Sequence, residues 1–256
     1  MKKIAFIFTI ITVTAVVLFL TASTKKQMQV INTANADEKG FAVLELFTSQ
    51  GCSSCPPADE LLGKYALQND KHIIPLAFHV DYWNRLGWID SFSNSKYSQR
   101  QRDYASTFAS HSVYTPQLVI NGAKEIIGSD AGKIAIAVDN ELKENPSVTL
   151  SVTDINVNNN TISFNYKATG ILTNMLIHAV LVQAKVFTNI KAGENRGLKL
   201  TNYNVVRDFV TTDKAAAEGK FLLQLSAGAN SAGFNIVLLA QDKTSGKIAG
   251  ALQTGF

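Results

Sequence analysis

The sequence predicts an α/β domain followed by a smaller, antiparallel β-rich domain of sandwich type. Three observations predict it. Up to residue 145, apolar runs of strand length alternate with stretches of helical period. The pair Asn145-Pro146 then interrupts the chain, as a boundary would. Beyond it the pattern is one of strands and turns alone.

Each element of the first half has its own signal. Phe41 to Phe47, "FAVLELF", is a near-continuous apolar run, as expected of a strand covered on both faces. Ala58, Leu61, Leu62, Tyr65 and Ala66 fall on one side of a helix. "IIPLAFH", Ile73 to His79, is a second strand, with Pro75 expected near its start. Asn94 to Ser110 has helical spacing, with Tyr97, Tyr104, Ala105 and Phe108 on one side. "PQLVING" is a third strand ending in the turn pair Asn121-Gly122, and "KEIIG" is its hairpin partner. Ser129 is the expected cap of a last helix carrying Ala131, Ile134, Ala135, Val138 and Leu142. The predicted order is β-α-β-α-β-β-α.

The second half, residues 146–256, offers the strands "SVTLSVTDINV", "TISFNYKAT", "LIHAVLVQAKVF", "KFLLQLSA", "FNIVLLAQDK" and "KIAGALQTGF". One stretch fits none of these. "GENRGLKLTNYNVVRDF" is unusual for a bare turn, and its Glu194, Arg196 and Arg207 are candidates to reach a cleft between the halves. An arginine fork at Arg196 would suit a carboxylate or a peptide. A local loop tie is the simpler reading of the same charges. His178, inside an apolar strand, is expected to be structural.

Residues 1–36 have the layout of an export segment. Lys2 and Lys3 precede the uncharged run Ile4 to Leu20. The expectation is a cleaved signal peptide or a retained N-terminal anchor followed by a polar spacer, which would be the only link to a membrane. Lysines 2, 3, 25 and 26 account for the whole formal charge of +4. Residues 37–256 therefore balance acids and bases, which removes any electrostatic reason to expect a nucleic-acid partner. An exported chain also lives where disulfides persist.

The chain's two cysteines lie in "LFTSQGCSSCPPADELL". Two residues apart at a helix start, Cys52 and Cys55 can close a disulfide across one turn. The first is expected at the exposed end, as the attacking thiol. The second is turned inward, as the resolving one. The positive end of the helix dipole favours a thiolate there by up to about 2 kcal/mol, roughly one to one and a half pKa units. Pro56 and Pro57 cost little, because first-turn N–H groups have no intrahelical partner. Glu45 is the one charge in "FAVLELF". A carboxylate in a central strand must be paired or protonated, so Glu45 is a candidate proton acceptor for Cys55; a solvated edge or a pair with a lysine is the alternative.

Strand, C-x-x-C and helix in this order resemble a thioredoxin fold over about residues 40–145. The longer motifs "ELFTSQGCSSCPPAD", "AFHVDYWNRLGW", "YTPQLVING" and "GENRGLKLTNYNVV" resemble an exported bacterial family catalogued as domain of unknown function 1223. Leu198 stands where the family pattern suggests another arginine, which weakens an anion site in that motif. The resemblance implies that Thr115-Pro116 is a cis pair facing the cysteines. It also implies that Cys52, His79 and Pro116 share one edge of the sheet, where open α/β sheets bind ligands. His79 is there a candidate proton shuttle or thiolate partner. Its alternative role is to hold the loop that follows. Asp81 and Trp83, with Tyr82 and Trp88, are candidates to line a substrate groove, with core packing of the aromatic rings under a long loop as the alternative.

These residues lead to an expected function: thiol–disulfide exchange outside the cytoplasm, with protein thiols or disulfides as partners and no cofactor. Two alternatives stay open. One is a Cu(I) carrier using Cys52, Cys55 and His79, since zinc would want four ligands. The other is a binding module with an inert disulfide.

Overall fold

The computed structural model describes residues 32–33, 39–212, 216–226 and 231–256. The apolar run Ile4 to Leu20 and its flanks lie outside them. Among the described residues no helix is long and apolar enough to cross a membrane.

The elements are β1 (Asn32–Thr33), β2 (Ala42–Thr48), α1 (Pro56–Gln68), β3 (Ile73–His79), α2 (Ser95–Thr107), β4 (Gln117–Ile120), β5 (Lys124–Ile127) and α3 (Ala131–Glu141). Seven strands follow: β6 (Val148–Asn158), β7 (Thr161–Gly170), β8 (Met175–Asn189), β9 (Lys199–Thr211), β10 (Glu218–Gln224), β11 (Phe234–Asp242) and β12 (Ile248–Gly255). Local chemistry sets the helix ends. Pro56 and Pro57 open α1, where no intrahelical acceptor awaits an N–H. Asn94 caps α2 by accepting from the Lys96 N–H. Asp130, not Ser129, caps α3: its carboxylate accepts from the Lys133 N–H.

Two sheets result. The larger has eight strands in the order β12-β11-β8-β9-β3-β2-β4-β5, and the smaller has β1-β6-β7-β10. Strand β2 runs parallel to β3 and antiparallel to β4. The ends of β2 and β3 and the start of β4 therefore share an edge. The predicted boundary at Asn145-Pro146 falls between α3 and β6, and the large sheet runs across it.

The join is β9, the strand hidden in the "GENRGLKLTNYNVVRDF" stretch. It pairs in parallel with β3 through Ala77 and Val205. Two features conceal it in the sequence. Asn202 and Asn204 are polar yet buried. Asn204 also has a left-handed φ of 47°, which breaks the alternation. Its Nδ2 donates to the Pro75 carbonyl at 3.0 Å. Pro75 is the third residue of β3, near its start, in a strand flanked on both sides, and it has no N–H for a ladder.

The packing is layered. Helix α2 covers one face of the large sheet, with Tyr97 and Tyr104 against Phe47, Phe78, Val182 and Val237. On the other face α1 and α3 cover β2, β3 and β4. Further along that face the small sheet packs Leu150, Phe164 and Leu223 against Leu181 and Leu238. Helix α1 also reaches β9, where a Cβ at Gly63 would come within 2.6 Å of the Tyr203 ring. That position admits glycine without displacing the ring.

Candidate functional site: a covered disulfide above a buried acid

Strand β2 delivers the chain to the shared edge, and residues 49–55 turn it into α1. The turn is closed by Cys52 N–H to the Ser49 carbonyl at 3.1 Å and Cys55 N–H to the Cys52 carbonyl at 3.2 Å. Cys52 and Cys55 form a disulfide, with Cα atoms 5.4 Å apart. The helix start is poor in free donors. Its first two residues are prolines, and the Ala58 and Asp59 N–H groups both donate to the Cys55 carbonyl. Hydroxyls serve the outer sulfur instead. Thr115 Oγ1 donates to Cys52 Sγ at 3.4 Å, and Ser54 Oγ lies 3.4 Å from the same sulfur. Trp83 Nε1 donates to Thr115 Oγ1 at 2.8 Å, which directs the Thr115 proton at the sulfur. Trp83 thus orients Thr115, a role the sequence did not suggest. The Thr115-Pro116 bond is cis.

Cys52 is not at an exposed end: its exposure is 0%. The β8–β9 turn, Gly193 to Gly197, lies against the cysteine loop. Asn195 Nδ2 donates to the carbonyls of Gln50 and Cys52, each at 2.9 Å. Glu194 accepts from the Ser53 N–H at 3.1 Å. The cysteine loop is braced as well. Trp88 Nε1 donates to Gln50 Oε1, and Gln50 Nε2 donates to Thr188 Oγ1 on β8. The "GENRG" motif therefore meets the cysteines through Glu194 and Asn195. Arg196, singled out from sequence, is exposed on the same turn. Asn195 was missed, since nothing in its neighbourhood marks an asparagine as buried.

Below the disulfide lies a cluster of buried polar groups. Thr48 and His79 face each other across β2 and β3, and Asp59 follows Cys55 by one helical turn. His79 is fully buried, and its Nδ1 is 2.7 Å from Asp90 Oδ2. Among the described residues, Thr48 Oγ1, Asp59 Oδ1 and His79 Nε2 have no hydrogen-bond partner. Burial pushes the Asp59 carboxyl up to about 7, against smaller lowering effects of His79 and the Thr48 hydroxyl. Burial pulls His79 down, but the charge and hydrogen bond of Asp90, helped by Asp59, outweigh it and hold the imidazole above its ordinary value. Burial raises Asp90, and His79 with the Gln50 and Phe92 N–H groups more than reverses that. Asp59 was passed over because a carboxylate at a helix start looks like an ordinary dipole partner.

Glu45 requires a correction. It shares a side of β2 with Val43 and Phe47, facing α2 and away from the cysteine pair. There Arg100 Nε donates to its carboxylate at 2.8 Å and the Tyr104 hydroxyl donates to its other oxygen. Arg100 Nη1 also donates to Gln241 on β11 at 3.0 Å. Glu45 is half of a salt link and cannot take a proton from Cys55. Asp81 is likewise tied locally, to the Ser98 hydroxyl of α2. Arg207 stacks on Phe92 and donates to Ser226. His178 bonds Thr211, and burial pushes it down to about 3. Among the described residues no three His, Cys, Asp or Glu side chains are arranged to hold a metal.

No curated protein matches the chain. It is similar to a crystal structure of a protein from Agrobacterium tumefaciens, with 29% identity and a TM-score of 0.64 over 83% of this chain and 92% of that one. A beta-glucosidase from Kluyveromyces marxianus aligns at 14% identity and a TM-score of 0.20, over 48% of this chain and 16% of that one, and carries no weight. Residues 43–241 match the family model described as "Protein of unknown function (DUF1223)", a span covering the cysteine turn, the buried acid and the β8–β9 turn alike. The chain belongs to that family.

Proposed function

We propose that this protein is a thiol–disulfide oxidoreductase acting outside the cytoplasm on protein thiols or disulfides. One observation carries the reading: a C-x-x-C disulfide at a helix start, with the buried Asp59 carboxyl one turn beneath its inner cysteine and one oxygen of that carboxyl unpartnered among the described residues. The likeness to thioredoxin drawn from the motifs, and the cis peptide beside Cys52, belong to the same reading. In the reducing direction the Cys52 thiolate attacks a partner disulfide. One partner sulfur leaves as a thiolate, and a mixed disulfide remains. Cys55 then gives its proton to the Asp59 carboxylate and attacks Cys52 Sγ, which expels the second partner sulfur. Two electrons pass to the partner. The reverse sequence oxidises a dithiol. A carboxyl that burial raises toward neutrality suits both directions, since it can accept a proton and return it. Thr115 and Ser54 stabilise negative charge on Cys52 Sγ. Action outside the cytoplasm rests on Lys2, Lys3 and the run Ile4 to Leu20.

The complete burial of Cys52 favours a second reading, a binding module with an inert disulfide. Replacing Cys55 by serine separates the two. The oxidoreductase leaves partner proteins linked to Cys52 through bonds that a reductant cleaves. Absence of such adducts, from cells in which the variant is folded and exported, sinks the first reading.

A further inference from the structure

The chain that covers Cys52 imitates a bound polypeptide. The Asn195 carboxamide donates to the carbonyls of Gln50 and Cys52, two residues apart, and the Glu194 carboxylate accepts from the Ser53 N–H that follows them. Carbonyls two residues apart are the groups that one edge of an extended backbone offers, and a carboxamide is chemically a peptide group. Asn195 is buried, whereas Glu194 and Ser53 are exposed, so the contact is an interior clasp with an outer edge open to solvent. The turn is internally firm: Ile190 and Leu198 are bonded across it, as are Gly197 N–H and the Ile190 carbonyl. It is suited to lift as a unit rather than unravel.

We propose that Asn195 and Glu194 are specificity-determining residues that reserve Cys52 for cysteines carried in extended polypeptide. A polypeptide partner supplies N–H groups to the Gln50 and Cys52 carbonyls as the turn lifts. A small thiol supplies none of these, so it reaches Cys52 only when the turn opens unaided. This rests on the exchange chemistry proposed above and adds the residues that select its partner.

The test follows reduction of the isolated, oxidised protein. The attacking thiolate bonds to Cys52 Sγ, the Cys52–Cys55 bond breaks, and its electron pair leaves on Cys55, which is then protonated. The probes are 2-mercaptoethanol and a seven-residue peptide with a central cysteine, compared at equal thiolate concentration. Asn195→Ala removes two hydrogen bonds from the closed state and should speed attack by 2-mercaptoethanol about tenfold. Attack by the peptide should change less than about threefold, so the preference for the peptide collapses. Glu194→Ala removes one bond and should give about a threefold gain, while Glu194→Gln, which keeps an acceptor, stays at the wild-type rate. Should Asn195→Ala fail to fold, the Glu194 pair decides. The proposal is overturned if wild-type protein shows no preference for the peptide, or if neither folded alanine variant gains toward the small thiol. These rates need no cellular partner, so the outcome is independent of adduct trapping.

Discussion

Two carboxylic acids are buried against the same strand pair from opposite sides, and their surroundings could hardly differ more. Glu45 meets a guanidinium and a phenol, and the guanidinium continues to Gln241 on a strand from the far half of the chain. Asp59 meets one imidazole that is already engaged by Asp90, and one of its oxygens has no partner among the described residues. A satisfied acid is a fastener. An unsatisfied one is held in a costly state that the fold must sustain from elsewhere, and such states gather where chemistry is done.

The contrast can be broken by experiment. The largest effect is expected at the fastener. Arg100→Met strips Glu45 of its counter-charge and should lower stability by about 3–5 kcal/mol in urea unfolding. A loss under about 1 kcal/mol would mean that Glu45 is not held by this pair. The next effect is on Asp59 and shows in its pH dependence. Its folded pKa of about 7 lies above the ordinary carboxylate value, so the native state binds the extra proton between the two. Stability of the oxidised protein must therefore fall as pH rises from about 4, and level off above about 7. His79, also raised, adds a loss in the same direction as pH passes its folded value. Asp59→Asn should cut the decline between pH 5 and 8 by about 2 kcal/mol. An unchanged slope would leave Asp59 no different from a surface acid. The smallest effect is at Thr48. Thr48→Val removes the hydroxyl that lowers Asp59, should change stability by less than about 1 kcal/mol, and should move the Asp59 titration upward. A downward shift would exclude the hydroxyl as a neighbour of the carboxyl.

Much of the α/β half was legible because periodicity and turn chemistry act locally. The run "FAVLELF", the prolines after Cys55 and the Asn121-Gly122 turn each signal an element that the structure contains. Strand β9 was not legible. Its buried asparagines are stabilised by partners more than a hundred residues away, such as the Pro75 carbonyl, and local pattern carries no trace of that. The site divides in the same way. The cysteine pair and Thr115-Pro116 are marked by spacing and by resemblance. Side-chain direction decided the rest. Asp59 takes the place expected for Glu45 because strand parity turns Glu45 toward α2, while the helix turns Asp59 inward. Asn195 became visible only when the β8–β9 hairpin was seen to end over residues 50–53.

The pairing of β9 with β3 has a consequence for how this chain can be divided. The strand that joins the two halves of the large sheet is continuous with the loop that roofs the sulfurs. Ending the polypeptide at residue 145 would remove both at once, leaving β3 with a raw hydrogen-bonding border and the cystine bare to every thiol in solution. The amino-terminal piece would then be a stickier and less discriminating molecule, and neither fragment would report faithfully on the intact one.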